Sequence, residues 1–74
     1  MHLQKKGIAI LGSTGSIGKS SLNVISSLGD SYKVFGLSCH KNITLLYTQI
    51  CQFNPKYAII TDQISYNLFV KEYG

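Results

Sequence analysis

An α/β fold built on a parallel sheet is what three features of this 74-residue sequence predict. Short apolar runs rich in β-formers alternate three times with segments whose apolar residues recur at helical spacing. Glycine, asparagine, proline or aspartate stands at the changes of period, where such residues end one element and start the next. The first junction is the most specific, because after residues 8–11 the chain reads Gly12-Ser-Thr-Gly15-Ser-Ile-Gly18, a glycine at every third position. Strand, helix, strand, helix, strand, helix is the order that right-handed crossovers turn into a parallel sheet with helices on its faces.

Residues 8–11 form an apolar run long enough for a buried parallel strand. The glycine-punctured turn follows, and residues 17–28 carry apolar positions at helical spacing. Gly12 lets the strand turn, Gly15 lets backbone approach a ligand, and Gly18 lets the helix pack against the sheet. Gly29-Asp30-Ser31 is a helix stop followed by a polar turn. Residues 32–39, Tyr-Lys-Val-Phe-Gly-Leu-Ser-Cys, read as a second strand with Gly36 as its weak point. Ile43, Leu46, Tyr47, Ile50 and Phe53 then lie on one helical face, and Pro55 ends that helix. Residues 57–60 are expected to be a short buried strand, Thr61-Asp62 an N-cap, and residues 64–73 a third helix.

Strand followed by glycine-rich turn and helix is a phosphate cradle. The helix N-terminus presents unpaired N–H groups and a partial positive charge, so a pyrophosphate is held there without a charged side chain. In such a fold the ligand lies at the carboxyl ends of the strands. Residues 12–18, 38–42 and 61–62 should therefore share one rim.

Composition narrows the class further. The chain is 45% hydrophobic and 14% charged, which is globular rather than disordered. A dinucleotide domain normally needs roughly 100–150 residues, so this length reads as half of one, with the remainder of the domain and a catalytic domain expected beyond it. The formal charge of +4 comes from scattered lysines without a single arginine, unlike the basic stripe of a nucleic-acid binder. No run approaches the roughly 20 apolar residues of a membrane span. The few residues before the first strand are too short for a signal or transit peptide. A soluble protein is expected, cytoplasmic in a bacterium or in a plastid-type organelle in a eukaryote. Cys39 and Cys51 lack metal or CxxC spacing and read as reduced, packed thiols.

The end of the second strand selects the nucleotide. An NAD site usually carries Asp or Glu about 20 residues beyond the glycines, to hold the ribose 2′-hydroxyl. Here that stretch is Gly36-Leu-Ser-Cys-His-Lys-Asn42, free of acid and supplied with donors at Ser38, His40, Lys41 and Asn42. These residues favour NADPH. Gly18-Lys19-Ser20 imitates the end of a nucleoside-triphosphate loop, but the leading glycine would have to stand at Ser13, so Lys19 falls inside the helix.

The stretch Ile10-Leu-Gly-Ser-Thr-Gly-Ser-Ile-Gly18 closely resembles the opening of the 1-deoxy-D-xylulose 5-phosphate reductoisomerase family, NADPH-dependent enzymes of non-mevalonate isoprenoid synthesis. The resemblance continues through Leu22-Asn-Val-Ile25, Val34-Phe-Gly-Leu-Ser38, Lys41-Asn42, Gln49 and Phe53-Asn-Pro-Lys56. It implies a Rossmann-like parallel sheet, present here as its βαβαβα half, residues 1–74 being the N-terminal part of the NADPH-binding domain. It implies an enzyme that rearranges 1-deoxy-D-xylulose 5-phosphate and reduces the product to 2-C-methyl-D-erythritol 4-phosphate, using Mg²⁺ or Mn²⁺, as a homodimer. By position it implies cofactor contacts at Thr14, Gly15, Ser16 and Ile17, and at His40, Lys41 and Asn42. Members often carry a small residue, frequently glycine, where this chain has His40. Catalytic and metal-binding residues of the family lie beyond residue 74, so none is assigned and the segment alone is expected to be inactive. A stand-alone nucleotide-binding module without activity, or an NADP-dependent reductase of the semialdehyde dehydrogenase type, is the competing reading.

Overall fold

The computed structural model describes residues 6–29 and 32–74. Its elements are β1 (Lys6–Ile10), α1 (Ser16–Ser27), β2 (Tyr32–Cys39), α2 (Ile43–Phe53), β3 (Tyr57–Ile60) and α3 (Gln63–Tyr73). The three strands form one parallel sheet in the order β1-β2-β3. This is the partial Rossmann-like architecture expected from the alternation. Gly29, at the end of α1, takes φ +71°, as the stop signal requires; the Asp30-Ser31 turn lies outside the described residues.

Helices α1 and α2 each bury one stripe against the sheet. Gly18, Leu22 and Ile25 do so on α1, and Leu46 and Gln49 on α2. Leu22, Ile25 and Leu46 pack with Val34, Leu37 and Cys39 of the central strand, flanked by Ile8, Ile10, Ile43, Ile50, Phe53 and Ile60. Burial pushes the Cys39 thiol above its ordinary value, which keeps it protonated and inert inside this core. Helix α3 lies against α2 through aromatic rings, Tyr47 stacked on Tyr73 at 4.0 Å and meeting Phe69 edge-on at 6.4 Å. Asn54 ends α2 in the left-handed region at φ 49°, directly before Pro55.

Four details depart from expectation. The first strand covers Lys6–Ile10 rather than residues 8–11 and is only partly buried, with Leu11 beyond it and exposed. Cys51, expected to be packed, is exposed. The register of β1 on β2 slips, Ile8 opposite Val34 but Ala9 opposite Gly36, so Phe35 is an extra residue. That bulge returns Leu37 to the core face after Val34, which strict alternation would not allow. The third strand is also not buried: Tyr57 is 55% exposed and Ile59 57% exposed. All helices that pack on the sheet core lie on one side of it. The opposite face, lined by Ala9, Leu11, Phe35, Tyr57 and Ile59, is left open, and β3 is apolar on both sides. No described helix is long and apolar enough to cross a membrane.

Candidate functional site: a glycine loop and the ends of three strands

The loop after β1 is shaped by its own backbone. Gly12 adopts φ +65°, a conformation that disfavours any side chain, and its carbonyl accepts from the Gly15 N–H at 3.0 Å. Gly15 is the N-cap of α1 and contributes no side-chain capping bond. By contrast, Asn42 caps α2 by accepting from the Leu45 N–H at 3.3 Å, and Asp62 caps α3 by accepting from the Ser65 N–H at 3.0 Å. The first turn of α1 also carries no acidic residue. Its N–H groups at Ser16 and Ile17 are thus free of a capping side chain, where an anion is favoured. Lys19 lies within α1 and is exposed, so it is no triphosphate-loop lysine.

Gly18 has a different neighbour from the one expected. A Cβ there would overlap the Gly12 carbonyl oxygen and stand 2.6 Å from the Ser13 Cα. The glycine therefore lets the first turn of α1 close onto the loop's own backbone, rather than onto the strands.

Hydrogen bonds tie the loop to the end of β2. The Ser13 N–H donates to the Ser38 carbonyl at 2.8 Å, and the Gly12 N–H donates to Ser38 Oγ at 2.9 Å. Ser38 is buried, so its hydroxyl serves the loop and is not an open donor for a ligand. The next strand joins in turn. The Thr61 N–H donates to the Cys39 carbonyl at 3.0 Å, and His40 Nδ1 lies 2.8 Å from Thr61 Oγ1. The three segments expected on one rim do share it.

Thr14 is half-buried, while Gly15, Ser16, Ile17, His40, Lys41 and Asn42 are all exposed along this rim. Ile17 is 84% exposed, a large apolar side chain held out beside the loop and outside the core cluster of the described residues. The Asp62 carboxylate accepts from Ser65 Oγ at 2.8 Å as well as from the Ser65 N–H. These two bonds hold its carboxyl below the usual range, and the charges of Lys41 and His40 add to the effect. A lowered folded-state value means stability that is present above the ordinary carboxylate range and lost as pH falls through the lowered one. Asp62→Asn keeps a capping oxygen but no charge. In the intact protein the wild type should melt higher than this variant at pH 7, and the gap should close below roughly pH 4. Melting temperatures measured from pH 7 to pH 3 check this; a gap constant with pH would show that the charge contributes nothing.

A further set of residues was not expected at the site. Gln49 of α2 is buried against the loop, with its amide oxygen accepting from Ser13 Oγ at 2.7 Å and its amide nitrogen donating to the Ser13 carbonyl at 2.8 Å. The available signal was its position: Leu46 and Gln49 are one turn apart on the buried stripe, where a polar side chain needs a partner.

Fold and rim together define the class, the strand, glycine loop and helix half of a Rossmann-like α/β protein. Residues 8–73 match the family described as 1-deoxy-D-xylulose 5-phosphate reductoisomerase, and the chain belongs to that family. It is similar to proteins of that name from Haemophilus ducreyi, 46% identical over 90% of this chain, and Trichlorobacter lovleyi, 51% identical over 77% of it. A third, from Thermodesulfovibrio yellowstonii, is 47% identical over 78% of the chain. The chain spans 17%, 15% and 15% of the lengths of these relatives.

Proposed function

We propose that this chain is the N-terminal part of an NADPH-binding domain, and that the intact protein converts 1-deoxy-D-xylulose 5-phosphate to 2-C-methyl-D-erythritol 4-phosphate. The observation that carries the reading is the pairing of an uncapped, acid-free α1 N-terminus with the acid-free segment His40-Lys41-Asn42, joined through Ser38. Family membership supplies the reaction.

The residues fit the cofactor in a specific orientation. Thr14, Gly15, Ser16 and Ile17 would hold the pyrophosphate and ribose, the N–H groups of the loop and first turn taking the phosphate oxygens. His40, Lys41 and Asn42 would take the adenosine end, where Lys41 faces the 2′-phosphate as a point charge. Asn42 has its side-chain oxygen engaged in capping, which leaves its NH₂ free to donate. NADPH bound in this way supplies a hydride for the reduction.

The described residues do not fit a divalent cation. Among the described residues no three His, Cys, Asp or Glu side chains come together, and Asp62 is committed to its cap. The Mg²⁺ or Mn²⁺ site, the sugar-phosphate site and the homodimer contact of the proposed enzyme are assigned to the length that its relatives have and this chain lacks.

Lys41→Ala tests the reading. In the intact protein it should raise the Michaelis constant for NADPH by roughly ten- to hundred-fold, the size of a charge-assisted phosphate contact, and leave that for NADH nearly unchanged. Steady-state kinetics with both cofactors and 1-deoxy-D-xylulose 5-phosphate provide the measurement. Equal losses with the two cofactors would remove Lys41 from the 2′-phosphate. Absence of dinucleotide binding by the wild type would overturn the reading altogether.

A further inference from the structure

We propose that Gln49 is a positioning residue for the dinucleotide: its amide sets the spacing between the glycine loop and the segment His40–Asn42. The inference rests on the dinucleotide reading of the rim and adds a residue that makes no contact with the ligand itself.

Gln49 satisfies both polar atoms on a single loop residue. Its oxygen accepts from Ser13 Oγ and its nitrogen donates to the Ser13 carbonyl, and that carbonyl can only accept, which fixes the orientation of the amide. Ser13 is fully buried and Gln49 nearly so, so neither bond is shared with water. The Ser13 hydroxyl also lies 3.2 Å from the Ser38 carbonyl, a longer and weaker second acceptor. Ser13 is thereby held from two sides, by β2 through Ser38 and by α2 through Gln49, while the adjacent Thr14 and Gly15 face the rim.

The consequence lies in where α2 begins. Asn42 is its N-cap and Lys41 immediately precedes it, two turns ahead of Gln49 on the same helix. A rigid helix transmits any displacement at Gln49 to its own start. Loop and helix start are the two proposed anion-facing segments, and NADPH is the ligand that needs both in register. NADH shares the adenosine but lacks the 2′-phosphate, so it forgoes the Lys41 contact that depends most on this register. A residue that sets the spacing therefore favours NADPH over NADH without touching either.

The test is a double-mutant cycle in the intact protein, with dissociation constants for NADPH and NADH read from the fluorescence of the reduced nicotinamide. Gln49→Met keeps the side-chain length and removes both hydrogen bonds. It should weaken NADPH about ten-fold and NADH distinctly less. In a Lys41→Ala background the extra loss for NADPH should disappear, so the two substitutions are not additive. Ser13→Ala, which keeps the Gln49 amide on the Ser13 carbonyl, should show the same pattern at smaller size and carries the test if Gln49→Met does not fold. Additive effects, equal losses for both cofactors, or a reduced active fraction with unchanged dissociation constants would each overturn the inference. Wild-type protein that binds NADPH through Lys41, alongside an unaltered Gln49→Met or Ser13→Ala, would leave the functional reading standing and remove only this one.

Discussion

Gly18→Ala in the intact protein is expected to unfold the glycine loop before any ligand is considered. The added methyl group would overlap the Gly12 carbonyl oxygen and lie 2.6 Å from the Ser13 Cα and 2.9 Å from the Ser13 carbonyl carbon. All three atoms are backbone, so no flexible side chain can swing aside. The loop they belong to is pinned to Ser38 by the N–H groups of Gly12 and Ser13. Relief requires α1 to move off the loop, which opens the core at Leu22 and Ile25. Overpacking of this kind costs about 1–3 kcal/mol where side chains yield, and rigid backbone puts Gly18→Ala at or above the top of that range. Thermal unfolding should show a midpoint lower by roughly 5–10 °C, with Gly18→Val failing to accumulate as soluble protein. An unchanged melting curve for Gly18→Ala would show that the first turn of α1 does not sit as closely on the loop as the structure places it.

Gly15→Val should have the opposite signature, with the fold kept and NADPH binding lost. Gly15 has φ −80°, which any residue adopts, and a Cβ there meets only the Gly12 carbonyl oxygen, at 3.4 Å. Nothing among the described residues demands glycine at this position. The added side chain would stand over the N–H groups of Ser16 and Ile17, where the proposed pyrophosphate lies. An oxygen held within hydrogen-bond distance of those groups leaves no room for a branched side chain. We expect a loss of at least about a hundred-fold in NADPH affinity, the equivalent of two or three backbone-to-anion hydrogen bonds. Calorimetric titration gives the affinity, and far-ultraviolet circular dichroism with a thermal melt confirms the fold. Near-native affinity would take residues 14–17 out of the site.

The contrast between these two glycines separates what was legible in the sequence from what was not. Their spacing announced a phosphate loop, and the structure bears out the strand before it and the helix after it. Spacing alone could not say which of the glycines the fold itself requires. That distinction depends on what atoms surround each one. Similarly, the Asn42 cap was readable because the cue was local, a capping residue before an apolar helix.

The sequence by itself determined the order and type of the elements and the family. Each rests on short-range regularities, namely helical spacing along α2, β-formers in Tyr32–Cys39, and residues such as Asn42, Pro55 and Asp62 at the junctions. The tertiary structure alone decided the rest. It placed Phe35 in a bulge, left Tyr57 and Ile59 on an open face, turned the Ser38 hydroxyl inward to the loop and brought Gln49 onto Ser13. The physical reason is range. A hydrogen bond between residues 36 apart has no periodic trace in the chain, and a strand apolar on both sides looks the same whether or not both faces are covered.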